Sequence, residues 1–266
     1  MILLLVLGFF MVIPLVFSVV NAFKPLEEFF IFPPKFYVVN PTLENFRNLF
    51  ALTSNLWVPF SRYIFNSVFV SAAATAGHLL VASTAAYVLS KHEFKGKKTL
   101  NSIIMVALMF SSTVMAIPQY LIAANLGFIN TYLALIVPVL GAPLGVFLMR
   151  QYMEGVPQSV LESARLEGAG EFRICWRIVM PSIKPAWITV IIFTFQGVWN
   201  NTGGNMIYSE QLKVLPTVLT QISASGMTRA GVGAAASLFL MIPPILVFVI
   251  TQSQVVETMA SSGIKE

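Results

Sequence analysis

Apolar positions in this chain fall into long unbroken runs, not into the stripes of a surface helix or the alternation of a half-buried strand. No Asp, Glu, Lys or Arg occurs in Met1–Phe23 (23 residues), Tyr63–Ser90 (28), Thr99–Met149 (51), Pro185–Ser209 (25) or Ala230–Val256 (27). A helix crosses a bilayer with about 20 apolar residues. The longest run is too long for one helix and fits two, with turn residues Asn125, Gly127 and Asn130 at its middle. The end of the fourth run, Asn200 to Asn205, is polar and belongs to a loop. The pattern predicts an all-α membrane protein of about six transmembrane helices, at about 1–23, 63–89, 100–124, 130–149, 185–201 and 231–254, in a single domain over 1–266. Pro118, Pro138, Pro143 and the Pro243-Pro244 pair lie inside or at the ends of spans. Neighbouring helices re-satisfy the carbonyls that proline frees there.

Composition changes this picture little. The 266 residues are 57% hydrophobic and 10% charged, against about 25% charged in a soluble domain. The single cysteine, Cys175, excludes an intramolecular disulfide and suits packing better than nucleophilic chemistry. His78 and His92 lack Cys or carboxylate neighbours at metal spacing, so no metal site is expected.

The net charge of +5 speaks to topology instead of nucleic acid, because the basic residues sit between spans. Six spans leave both termini on one side. That side collects ten basic residues (Lys91, Lys95, Lys97, Lys98, Arg150, Arg165, Arg173, Arg177, Lys184, Lys265), and the other six (Lys24, Lys35, Arg47, Arg62, Lys213, Arg229). The richer side is expected to be cytoplasmic. Val20-Asn21-Ala22 has the look of a leader-cleavage site, but no basic stretch precedes the apolar run. The loop Lys24–Arg62, with Phe29, Phe30, Phe32, Pro33, Pro34 and Tyr37, is expected to pack as an irregular cap over helix ends.

Chemistry is sparse. The spans contain no carboxylate or cationic side chain, and His78 is the one ionisable residue in the apolar interior. A lone histidine suits a hydrogen-bonded core position better than a proton relay. Ion coupling is therefore disfavoured, although backbone carbonyls can bind sodium. The chain has no G-x-x-x-x-G-K-[ST] loop: Gly96-Lys97-Lys98-Thr99 lacks the earlier glycine, and Gly168-Ala169-Gly170 lacks the third glycine of a dinucleotide fingerprint, Arg173 standing there. Uphill transport by this chain would draw its energy from a partner. No cluster of acid, base and nucleophile marks a membrane enzyme.

The informative segment is Glu154 to Pro185. Pro157 suits the first turn of a helix. Val160, Leu161 and Ala164 form an apolar stripe, and Gln158, Glu162 and Arg165 a polar face. Gly168 can take the left-handed conformation that ends the helix. A second helix is predicted from about Glu171 to Met180, with Phe172, Trp176 and Val179 on one side, and Pro181 and Pro185 lead into the next span. Two physical readings stand level: a knob passing force between a membrane domain and a soluble domain, or an interfacial helix anchored in lipid by Phe172 and Trp176.

The same segment resembles the EAA loop of ATP-binding-cassette (ABC) importer permeases: Glu162-Ser163-Ala164, then Arg165-Leu166-Glu167, Gly168, and later Met180-Pro181. Ser163 and Glu167 depart from the usual Ala and Asp. Further stretches are similar to the carbohydrate-uptake, maltose-type permeases of the second kind: Pro41-Thr42-Leu43-Glu44-Asn45-Phe46, Asn66-Ser67, Ala85 to Ser90, Phe94-Lys95-Gly96-Lys97, Ile117-Pro118, Asn130-Thr131, Trp199-Asn200, Leu215-Pro216 and Gly263-Ile264-Lys265. After Trp199-Asn200, the stretch Asn201-Thr202-Gly203-Gly204-Asn205 replaces the acidic or aromatic residues usual in that family.

This resemblance implies an ABC type I importer permease in a bacterial-type inner membrane. Its partners would be a second, different permease, a dimer of ATPase subunits and an extracellular sugar-binding protein. No cofactor is implied on this chain, since ATP and magnesium belong to the ATPase. Glu162, Ser163, Ala164, Glu167, Gly168, Phe172 and Pro181 would form the cytoplasmic helix-turn-helix that couples to it, Glu162 receiving a basic partner residue. Asn66, Tyr120, Trp199, Asn200, Asn201, Gly203 and Gly204 would be candidates for the sugar path or the binding-protein loop. The rivals are an ABC permease for a non-sugar solute and an ion-coupled carrier.

Overall fold

A computed structural model describes residues 2–54, 58–224, 226 and 229–262, so the Gly263-Ile264-Lys265 match lies outside the described residues. Those residues form helices and no strand. The helices of eight or more residues are α1 (Ile2–Ala22), α2 (Glu44–Ser54), α3 (Phe60–Lys91), α4 (Lys97–Met109), α5 (Ser112–Asn125), α6 (Leu133–Leu140), α7 (Pro143–Glu154), α8 (Gln158–Leu166), α9 (Glu171–Ser182), α10 (Lys184–Trp199), α11 (Leu215–Ser223) and α12 (Ala230–Ser262). Among the described residues, four segments are long and apolar enough to cross a membrane: Leu3–Ala22, Phe60–Lys91, Leu133–Glu154 and Ala230–Gln252. Two bent pairs would raise that number to as many as six if each pair formed one span: α4 with α5, meeting at 115°, and α9 with α10, meeting at 88°.

The first bend departs from the straight helix expected over about 100–124. Ser111 takes an extended conformation, and its side chain accepts the N–H of Val114, so a new helix starts where the hydrophobic run continues. A charge-free run cannot register such a break, because Ser111 carries no charge.

The chain forms two compact units. The first is Met1–Ser67, Asn200–Gly203 and Tyr208–Leu246. An aromatic cluster in it joins Phe46 and Phe50 of α2, Phe60 of α3 and Phe239 of α12, with ring centroids 5.6–6.4 Å apart. Buried Asn45 donates its amide to the carbonyls of Ala22 (3.0 Å) and Lys24 (2.6 Å), satisfying groups left over at the end of α1. A side chain at Gly231 would meet that amide, with a Cβ 2.2 Å from the Asn45 Oδ1.

The loop after α1 differs from the expected cap. Phe30, Phe32, Phe36 and Tyr37 are exposed. Polar contacts hold the loop instead: the Glu28 carboxylate accepts the N–H groups of Val39 (3.2 Å) and Asn40 (2.9 Å), and the Lys24 ammonium reaches the Lys35 carbonyl. Aromatic content alone did not reveal that backbone satisfaction, not ring burial, would fix this segment.

The second unit is Val68–Trp199, Gly204–Ile207 and Val247–Glu266. Its core packs Ala82 and Ala86 of α3 against Met149 and Met153 of α7, Leu161 of α8 and Ile174 of α9. Small residues let the helices approach closely. A Cβ on Gly145 would lie 2.2 Å from the Nε2 of buried His78, so α7 meets α3 with no room for a side chain there. The His78 Nδ1 lies 3.3 Å from the Leu140 carbonyl, a core histidine bonded to backbone.

Candidate coupling site

The knob is built from α8 and α9. Pro157 stands just before α8, in extended conformation, so the helix begins at Gln158, one residue later than a first-turn proline would place it. The end of α8 follows the glycine signal. Gly168 has φ +82°, the Gly168 N–H donates to the Arg165 carbonyl (3.0 Å), and the Ala169 N–H donates to the Ala164 carbonyl (3.0 Å). Those two bonds are the Schellman pattern that closes a helix on a left-handed residue. A Cβ at Gly168 would meet no atom within 4 Å, so the demand for glycine is conformational and not steric.

Leu161 and Ala164 face the core as the stripe predicted, but Val160 is 44% exposed. The expected face of Phe172, Trp176 and Val179 forms only in part: the Phe172 and Trp176 rings lie 6.2 Å apart, but Phe172 is 71% exposed and Val179 fully buried. The cause is a turn of π-helix over Cys175–Val179, whose wider hydrogen-bond spacing breaks the 3.6-residue register the prediction assumed.

The structure places Glu162, Ser163, Glu167, Gly168, Phe172 and Pro181 at the surface and Ala164 inside. No partner among the described residues reaches the carboxylate of Glu162 or Glu167. Leu166, which sequence reasoning did not single out, is 90% exposed and sits two residues before Gly168. The knob therefore presents two bare apolar side chains, Leu166 and Phe172, beside two open carboxylates.

A polar cluster adjoins that surface in the chain. Glu171, the first residue of α9, accepts from Arg165 Nε (2.7 Å) and from the Tyr87 hydroxyl (2.5 Å), and stands 3.3 Å from His92 Nε2. Hydrogen bonds from Arg165 and Tyr87 hold its carboxyl well below the ordinary carboxylate range, at about 2. The same bond raises the Arg165 guanidinium. Lys91, four residues beyond Tyr87, donates to the Val156 carbonyl (2.6 Å) at the entry to the knob. Glu171, Tyr87 and His92 were absent from the sequence-derived site, because the pairing crosses a turn and joins residues 84 apart. A carboxylate three positions after the turn glycine is the one local trace.

The residues suggested for the sugar path are divided between the two units. In the first, Asn66 is fully buried and donates to the carbonyls of Gln211 (2.8 Å) and Lys213 (2.9 Å). Its amide nitrogen is committed to holding a loop. Asn200 and Asn201 are exposed, and the Asn201 side chain accepts the Gly203 N–H (2.8 Å), with φ +74° at Gly203. In the second, Gly204 has φ +50°, Tyr120 is 40% exposed, and Trp199 is buried, stacked on Phe195 with centroids 5.7 Å apart. A cavity of about 820 Å³ in this unit, lined mainly by apolar side chains with Thr99, Ser102 and Gln119 among them, went unnoticed in the sequence because its walls come from α4 to α7.

A many-helix apolar body with a compact helix-turn-helix knob defines a multi-pass membrane protein built to meet a partner. The comparisons with known proteins agree. Residues 78–260 match the family described as "Binding-protein-dependent transport system inner membrane component", and the chain belongs to it. It is a transport subunit. It is 27% identical to the arabinooligosaccharides transport system permease protein AraQ of Halalkalibacterium halodurans, over 97% of this chain and 93% of that one. It is 30% identical to the probable ABC transporter permease protein y4oR of Sinorhizobium fredii, over 98% and 92%. Its fold matches a chain from the crystal structure of a bacterial ABC transporter involved in the import of the acidic polysaccharide alginate, with TM-score 0.80, 20% identity, and coverage of 95% and 93%.

Proposed function

We propose that this chain is one of two permease subunits of an ABC importer, translocating a sugar or oligosaccharide delivered by an extracellular solute-binding protein. A separate pair of ATPase subunits supplies the energy, and both termini face the cytoplasm with the knob. The observation that carries this reading is the knob's outer surface. Leu166 and Phe172 stand exposed beside Glu162 and Glu167 on a helix pair whose other side is locked into the core. Fully burying a leucine or phenylalanine contributes about 1.5–3 kcal/mol each, and an ion pair from Glu162 to a basic residue of the ATPase adds orientation. Closure of the ATPase dimer would move the knob as a rigid body and switch the helices between two packed arrangements. ATP and magnesium belong to that partner.

The sugar assignment rests on relatives such as the arabinooligosaccharide permease and the galactooligosaccharides permease GanQ of Bacillus subtilis, 28–27% identical to this chain. A second reading, a phosphorylated polyol as solute, follows from 28% identity to the sn-glycerol-3-phosphate permease UgpE of Yersinia enterocolitica over 80% of this chain. Binding of candidate solutes to the cognate solute-binding protein separates the two. The coupling assignment is tested with Leu166→Asp and Phe172→Asp in the assembled transporter. Both are expected to lose the ATPase on purification and to stop uptake. Full uptake with a normal complement of ATPase would overturn it.

A further inference from the structure

We propose that Glu171 is a positioning residue that locks both arms of the knob to the end of α3, so that a push on the knob moves α3 instead of turning the knob about its own glycine turn. The inference rests on the coupling function above and names the residue that makes the coupling stiff.

The need for such a lock follows from the local chain. The two helices of the knob are joined by Gly168-Ala169-Gly170, with Gly168 in the left-handed region and open space around it. The core beneath, through Leu161, Ala164 and Ile174, resists separation, but apolar contact is non-directional and tolerates rotation. Direction comes from hydrogen bonds. The Glu171 carboxylate accepts from Arg165 of α8 on both oxygens (2.7 and 3.3 Å) and from the Tyr87 hydroxyl of α3 on one of them (2.5 Å). Being itself the first residue of α9, it binds three elements at one point. Charge-assisted bonds of this length are among the strong ones.

A second attachment stands one turn further along α3. Lys91 Nζ donates to the carbonyls of Val156 (2.6 Å) and Glu154 (3.4 Å), on the segment that enters α8. Four residues of helix separate the two anchors by about 6 Å. One anchor would act as a pivot, whereas two fix the angle. Glu171 is half-exposed, which keeps the cost of its charge low. The cluster therefore contributes more to geometry than to stability.

The test uses the complete transporter in proteoliposomes, with ATP hydrolysis and solute uptake measured in the same vesicles. Glu171→Gln is expected to raise the ATP hydrolysed per solute by about 2- to 30-fold, the range by which single residues alter coupling, while co-purified ATPase stays at the wild-type amount. Tyr87→Phe, which preserves shape, is expected to shift the ratio the same way, and it decides the matter if Glu171→Gln folds poorly. Arg165→Glu and Glu171→Arg should each uncouple, and the double swap should return the ratio toward wild type. An unchanged ratio in Glu171→Gln and Tyr87→Phe overturns the lock and leaves the permease assignment standing. Uncoupled single variants with no recovery in the swap would also overturn it. A wild-type complex that never hydrolyses ATP would instead sink the functional reading, and the lock with it.

Discussion

Helices α1 and α3 are both long enough to cross a membrane, yet they solve opposite problems. The most apolar window of α1 has none of its residues buried within the chain, whereas 39% of the corresponding window of α3 is buried. The residues α3 hides include Asn66, Ser67, Ser71, Thr75, His78 and Ser83, and it hides alanines where neighbours come close. The more hydropathic helix is thus the less buried one. In a soluble protein the order would be reversed. Lipid removes the drive to bury apolar side chains, so helix association rests on close packing and hydrogen bonds, which favour small and polar residues.

Substitutions can break or sharpen this contrast. The largest effect is expected from Met11→Asp in α1, because a charged residue at the centre of a transmembrane helix costs about 2.5–3.5 kcal/mol on insertion. A translocation-dependent glycosylation assay should show the loss, and normal insertion would mean that α1 is shielded from lipid. Next is Asn66→Ala in α3. It removes the two hydrogen bonds that the Asn66 amide donates to the carbonyls of Gln211 and Lys213, at about 1–3 kcal/mol of stability, measured by thermal unfolding in detergent.

Gly145→Ala in α7 is expected to cost a similar or smaller amount, about 1–3 kcal/mol, because the new methyl must displace the buried His78 ring of α3. Retained stability there would show that the ring has somewhere to go. Smaller again is a pH effect at the foot of α3. The Glu171 carboxyl is held at about 2 in the folded protein, against 4.5 ordinarily. Its contribution is present above pH 4.5 and lost as pH falls toward 2, and for a half-exposed pair it amounts to about 1 kcal/mol or less. Glu171→Gln should abolish that part of the acid dependence of unfolding. Least affected should be Met11→Ala, within about 0.5 kcal/mol, since Met11 packs against no neighbour whose loss would leave a cavity.

The amino-acid sequence by itself determined the solvent, the class of secondary structure and the glycine that ends α8. Charge-free runs need only composition, and a left-handed glycine needs only its neighbours, so both are local facts. The break at Ser111, the π-turn that turns Val179 away from Phe172, the bare Leu166, and the meeting of Glu171 with Tyr87 and Arg165 were decided by the tertiary structure. Each depends on which side of a helix finds a partner distant in the chain. Periodicity fixes a helix's faces relative to one another, but only packing fixes what each face meets.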